Sequence, residues 1–155
     1  MKLNKSYIFS IFAGLILILS GCTRNNGDIG NWFGKWQIMS ITVDGTPEAN
    51  YQPQYFMEFQ NNIVKLTWLA PNGYEHETYT AYGTWQQPAD NYMELDFTHG
   101  DDIHDTNYYT PFEALHLPSE QTFKMSISNA SGNNCTMTYF DESSSKQYTY
   151  ELRKR

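Results

Sequence analysis

The feature that most constrains this chain is an alternation of apolar and polar residues with period two, repeated in short runs from Trp36 to Arg153. Trp36-Ile38-Ser40-Thr42 interleaves with Gln37-Met39-Ile41-Val43, apolar on both faces. Tyr55-Met57-Phe59, Val64-Leu66-Trp68, Met93-Leu95-Phe97, Phe123-Met125-Ile127, Cys135-Met137-Tyr139 and Tyr148-Tyr150-Leu152 each interleave with more polar partners. Successive side chains of a strand point to opposite faces, so runs of this kind, rich in aromatic and β-branched residues, predict half-buried strands. A long strand over Tyr74–Trp85 completes a set of eight. Asn61-Asn62, Pro71-Asn72-Gly73, Gln87 to Asn91, Ala130 to Asn133 and Asp141 to Ser145 punctuate the runs with turn-forming residues. Two connections are longer, Asp44–Pro53 and Thr98–Glu120, and Phe112–Leu117 can form a single helical turn. Short links between antiparallel strands favour an all-β, eight-stranded, up-and-down barrel without a large helix. Closure removes both sheet edges, and an open two-sheet sandwich is the alternative.

The N-terminus has a different character. Lys2 and Lys5 precede an apolar run from Ile8 to Leu19, then Ser20-Gly21-Cys22. A basic start, a short apolar core and small residues before a cut site make an export signal. The run is shorter than the roughly twenty residues of a membrane-spanning helix. Leu19-Ser20-Gly21-Cys22 resembles the lipobox of bacterial lipoproteins. That resemblance implies cleavage before Cys22 and acylation of Cys22 on sulfur and amine, which places the protein in the cell envelope on a bacterial membrane, expected to be the outer one. Facing the periplasm and facing outward both stay open. The expected organisation is a signal peptide over 1–21, a polar Gly/Asn-rich tether over 22–31 and one barrel domain over 32–155.

The formal charge is −7, and the signal holds two lysines and no acid, so the mature chain stands at −9. Such an acidic product argues against nucleic-acid binding, which depends on phosphate neutralisation by Lys and Arg. With Cys22 acylated, Cys135 is the remaining thiol, and one thiol forms no internal disulfide. The core must hold the fold.

Little in the chain points to catalysis, and the expectation is a protein that is not an enzyme and needs no cofactor. Cys135 alternates with Met137 and Tyr139, the setting of a buried, inert thiol. There is no Gly-X-Ser-X-Gly elbow, no Cys-X-X-Cys and no Gly-rich phosphate loop. Glu75 and Glu77 flank His76 on one strand face, and the alternation sends that face to solvent. The stretch from Thr98 to Asp105 offers His99, Asp101, His104 and Asp105 as candidate ligands for a divalent cation. A solvated acidic loop is the simpler reading of those residues. Aromatic residues make up 16% of the chain, and Trp68, Tyr79, Phe97, Phe123, Met125, Met137, Tyr139, Tyr148 and Tyr150 are candidates to line one interior. Such a wall, with a few hydroxyls, suits a small apolar or amphipathic molecule.

Gly34-Lys35-Trp36, opening the first strand just after the tether, resembles the Gly-X-Trp motif of lipocalins. The resemblance to that family, and to the short lipocalin-like lipoproteins of Bacteroides-type bacteria, spans about residues 31 to 155. It implies that Trp36 plugs one end of the barrel beside Gly34, and that Arg153 from the last strand packs across the indole. It also implies a binding protein for a small hydrophobic or amphipathic ligand. Two features differ: this chain reads as strand up to Arg153 where lipocalins add a helix, and Thr106-Asn107-Tyr108 matches their second motif loosely. A second functional reading is an interaction module, in which Tyr108-Tyr109 and Tyr51 to Tyr55 meet an envelope protein or glycan.

Overall fold

The computed structural model describes residues 32–71, 78–98, 100 and 108–155. Its strands are β1 (Gly34–Val43), β2 (Thr46–Pro47), β3 (Tyr55–Gln60), β4 (Ile63–Leu69), β5 (Thr78–Ala89), β6 (Tyr92–Asp96), β7 (Thr122–Ser131), β8 (Asn134–Asp141) and β9 (Lys146–Lys154). All neighbours are antiparallel in the order β1-β3-β4-β5-β6-β7-β8-β9, and β9 returns to pair with β1. The result is the expected closed, up-and-down barrel of eight strands, to which the two-residue β2 adds a short ribbon on β1. Every ladder is made within Trp32–Arg155, so this unit closes its barrel from its own residues.

Turn chemistry sets the registers. Asn61 takes φ 52° at the β3–β4 turn, which locks Gln60 opposite Ile63 and therefore Tyr55 opposite Trp68. Asp44 and Gly45 both have positive φ, as a tight primed hairpin requires, and they start β2 inside what reads as one long connection. The cluster Gln87-Pro88-Ala89 is not a turn. It continues β5 through an irregularity between Gln86 and Ala89, and the chain reverses at Asp90-Asn91. Proline is tolerated there because the ladder is already broken.

A bulge explains why β1 is apolar on both faces. Ile38 pairs with Leu152 and Ser40 with Glu151, leaving Met39 as an extra residue. The bulge flips the alternation, so Trp36, Ile38 and Ile41 all point inward. The inward face is therefore not the simple Trp36-Ile38-Ser40-Thr42 series.

The middle of the barrel is filled by side chains. Met57, Leu66, Met93, Leu95, Met125, Met137 and Tyr150 are fully buried, each contributing roughly 1.5–3 kcal/mol by leaving water. One end is closed by aromatics: Trp32 lies 5.4 Å from Trp36 and 5.8 Å from Phe59, and Phe59 lies 5.1 Å from Trp85. The Trp36 indole N–H donates to the Trp32 carbonyl at 2.9 Å. Turns 61–62, 90–91 and 132–133 surround this closed end. The opposite, open end carries the β1–β3, β4–β5 and β6–β7 connections and the β8–β9 turn.

Candidate functional site

Two arcs of aromatic rings line the inner wall near the open end. In the first, Tyr51, Tyr55, Trp68 and Tyr79 form a stacked series, with centroid separations of 5.8, 6.1 and 5.1 Å and interplanar angles of 26°, 10° and 25°. The strand registers Tyr55↔Trp68 and Trp68↔Tyr79 impose this order, since directly paired residues project to the same face. In the second arc Phe97, Phe123, Tyr139 and Tyr148 follow one another at 6.3, 5.1 and 6.2 Å, and His116 stacks on Tyr148 at 4.7 Å. Gly83 makes room for this arc: a Cβ there would lie 2.6 Å from the Asp96 carbonyl and 2.7 Å from the Phe97 ring. That space, rather than a functional repeat, accounts for the second Gly-X-Trp triplet at Gly83-Thr84-Trp85.

The β6–β7 connection folds over the mouth. A single 3-10 turn at Glu113–Leu115 drives Leu115 to full burial, with Pro111 and Leu117 also buried. Tyr150 reaches up from the core and donates its hydroxyl to the Leu115 carbonyl at 2.7 Å. Phe112 packs 5.8 Å from Tyr55 and 6.3 Å from Trp68. His116 Nε2 lies 3.6 Å from Glu48 Oε2, joining this segment to the β1–β3 connection. The described part of the long connection is thus a plug: Phe112 packs on the first arc, His116 on Tyr148 of the second, and Leu115 accepts the Tyr150 hydroxyl between them.

The two arcs are unequally exposed. Phe97, Phe123, Tyr139 and Tyr148 are all buried, whereas Tyr55 and Trp68 are half-buried and Tyr79 is 46% exposed. Beside Tyr79 an open groove of about 480 Å³ runs between Thr78-Tyr79-Thr80 and Tyr108, Thr110, Pro111 and Phe112. Thr78, Thr80 and Thr110 line it with Tyr79, Tyr108 and Phe112, Thr78 and Thr80 sharing the strand face of Tyr82. Burial raises the Tyr51 phenol above its ordinary range, with Tyr55 adding to the effect, and burial alone raises Tyr55. Tyr51 satisfies its hydroxyl by donating to the Ile38 carbonyl at 3.0 Å. Tyr150 is raised well above its usual value by burial, with Tyr148, Tyr139 and Tyr51 adding to it. Tyr51, Tyr55 and Tyr150 are therefore neutral phenols at physiological pH.

The residues expected to line one interior divide into three groups. Trp68 and Tyr79 belong to the open arc. Phe97, Phe123, Tyr139 and Tyr148 form the covered arc. Met125, Met137 and Tyr150 lie deeper, at 0% exposure, as core. At the closed end Gly34 has φ 116° and Trp36 is buried, and the cation over Trp36 is Lys154, with Nζ 5.4 Å from the ring. Arg153 projects outward and is exposed. The cause is parity. Leu152 faces in, so Arg153 faces out, and Lys154, paired with Trp36, returns to the indole. Cys135 is buried, and its thiol is pushed up to about 12 by burial and by Glu151, as an inert thiol should be. Cys22, the carboxylates Glu75 and Glu77 with His76, and the metal candidates His99, Asp101, His104 and Asp105 lie outside the described residues. Tyr55 was legible by counting back from the Asn61-Asn62 turn. Tyr51, Phe112 and Lys154 carried no such signal.

A closed eight-stranded antiparallel barrel, plugged at one end by a Gly-X-Trp tryptophan and folded over at the other, has the lipocalin-like fold. Solved structures agree. A lipocalin-like protein from Bacteroides uniformis superposes with a TM-score of 0.57 at 20% identity, covering 81% of this chain and 100% of its own. An uncharacterized protein from Bacteroides eggerthii gives 0.57 at 14% identity with the same coverages. No protein-family model matches the chain, and no curated protein does.

Proposed function

We propose that this chain is a membrane-tethered binding protein of the bacterial cell envelope, acylated at Cys22, that captures a small apolar or amphipathic molecule and performs no chemistry on it. The observation that carries this reading is the half-exposed ladder Tyr55–Trp68–Tyr79, flanked by Phe112 and the threonine-lined groove. Fully buried side chains fill the barrel centre, so the ligand belongs at the mouth rather than deep in the calyx. Apolar ligand surface would gain about 25 cal/mol per Å² buried against the rings. Thr78, Thr80 and Thr110 would orient its polar end.

A second reading is favoured by a different observation. Tyr82 on the outer wall stacks on Tyr108 at 4.9 Å, and Tyr109 meets Tyr108 edge-on at 5.8 Å. Tyrosine pairs on an outer face suit contact with an envelope protein or glycan.

One experiment separates the two. Protein lacking residues 1–22 is purified natively and examined by native mass spectrometry, alone and with fatty acids, haem and oligosaccharides. A stoichiometric adduct lost in Trp68→Ala but kept in Tyr82→Ala supports the mouth. Loss with Tyr82→Ala alone moves the site outside, and no adduct across the panel defeats the small-molecule reading. The intact mass of the mature protein, with and without Cys22→Ser, tests the anchor separately.

A further inference from the structure

The charges of this acidic protein are sorted by position. Of its seven Lys and Arg within 32–155, five (Lys35, Lys65, Arg153, Lys154 and Arg155) fall on the β9–β1–β3–β4 side toward the closed end. The registers make them neighbours. Gln37 pairs with Arg153, Lys35 pairs with Glu58, and Glu58 pairs with Lys65. Arg155 donates its backbone N–H to the Lys35 carbonyl at 2.9 Å and its Nε to Gln37 Oε1 at 2.6 Å, which brings it alongside Lys35. Among the described residues the carboxylates on this side are Glu58 and Glu151. Glu58 is held by Lys65 at 2.9 Å and Lys35 at 3.6 Å, and Glu151 accepts from Thr136 Oγ1 at 3.1 Å. The patch therefore keeps a net positive charge, and Asp90, in the 90–91 turn, stands at the same end on the opposite side of the barrel. The open end carries Asp44, Glu48, Glu113, Glu120, Asp141 and Glu142 against Lys146.

Two exposed apolar side chains sit at the same closed end, Phe33 at 47% and Ile63 at 45% exposure. Phe33 bridges to Phe59, and Ile63 pairs with Gln60 beside the Asn61-Asn62 turn. The chain enters the barrel here, at Trp32, ten residues after Cys22. Acylation of Cys22, as proposed above, would keep this end near the lipid headgroups, since ten residues fully extended span at most about 36 Å.

We infer that the closed end is a membrane-facing surface. Lys35, Arg153 and Arg155 bind the phosphates of an anionic phospholipid bilayer, Phe33 and Ile63 enter its interface, and the acidic mouth points away from the membrane. The orientation relative to the anchor rests on the proposed acylation of Cys22, whereas the affinity of the patch does not. A mouth turned from the lipid is open to ligands diffusing in the aqueous phase, and its acidic rim is repelled by an anionic bilayer.

The test uses protein lacking residues 1–22, so no acyl chain contributes, and phosphatidylcholine vesicles with or without about one quarter phosphatidylglycerol. The expected result is co-sedimentation with the anionic vesicles alone, lost between ~50 and ~500 mM salt. Arg153→Gln with Arg155→Gln should lower the partition coefficient roughly 25-fold, about fivefold per cation. Lys146→Gln, at the other end, should leave it unchanged. Equal binding to neutral vesicles, no binding to anionic ones at low salt, or binding indifferent to the double substitution would overturn the inference. Because the protein tested carries no Cys22, a failed acylation result leaves this outcome independent.

Discussion

The two aromatic arcs are built from the same residue types at the same end of the barrel, yet they have opposite fates. The Phe97–Phe123–Tyr139–Tyr148 arc is buried throughout; the Tyr55–Trp68–Tyr79 arc runs out to the 46%-exposed Tyr79. Composition does not separate them. The separation lies in what stands beside each arc: the groove opens next to Tyr79, whereas Phe97, Phe123, Tyr139 and Tyr148 are each buried. A ring that is covered contributes to stability, and a ring left half-covered retains apolar surface for a ligand.

Truncating one ring from each arc is the strongest way to break that comparison. Phe123→Ala removes a buried ring that packs on Phe97 and Tyr139 and should cost about 3–5 kcal/mol of unfolding free energy in a urea titration. Tyr79→Ala removes a ring already largely in water and should cost under about 1 kcal/mol, while weakening any ligand held at the mouth. Equal destabilisation by the two would mean that both arcs are core, and the mouth would lose its claim to be a site.

How much of this was legible beforehand follows the same division. Alternation and the Asn61-Asn62 turn are local, so the barrel, its strand count and the Tyr55↔Trp68 pairing could be read from residues near one another in the chain. The bulge at Met39 could not, because an extra residue shows only against its partner strand, more than a hundred positions away. It announced itself only indirectly, as a strand apolar on both faces. The seating of Phe112 and Leu115 was hidden for a related reason: a connection without periodicity gives no register, and its place is decided by where Tyr150 offers a donor. Nine residues share one apolar signature, yet three of them are deep core and four form the buried arc.

The link between plug and core sharpens the comparison further. Tyr150→Phe deletes the hydroxyl that donates to the Leu115 carbonyl and leaves that buried acceptor unpaired. This should cost about 1–3 kcal/mol at neutral pH and speed amide exchange across 108–121 more than at the closed end. The same hydroxyl predicts a pH effect. The folded-state pKa of Tyr150 is raised by burial above the value of about 10 in the unfolded chain, so its stabilising contribution is complete below pH 10. That contribution is lost as the pH rises toward the folded value, at about 1.4 kcal/mol per unit. Cys135, pushed up to about 12 from 9.0, begins the same kind of loss near pH 9. Urea midpoints of the native protein should therefore fall above pH 9, and those of Tyr150→Phe should fall less steeply above pH 10. Parallel curves would mean that Tyr150 is not the buried donor that holds the plug.

The smallest effect concerns the closed end, where the aromatics are buried like those of the second arc and a cation lies over Trp36. Gly34 at φ 116° admits Lys154, whose Cε would lie 3.4 Å from a Cβ at that position, and Lys154 Nζ reaches 5.4 Å from the Trp36 ring. Lys154→Gln should cost roughly 0.5–1 kcal/mol through loss of the cation–π contact. Arg153→Gln, one residue away on the outer face, should be neutral in stability within about 0.5 kcal/mol. The reverse order would return the indole's partner to Arg153. The order expected here makes the parity of β9, set by Leu152 facing inward, the reason that a lysine takes the place the lipocalin resemblance gives to an arginine.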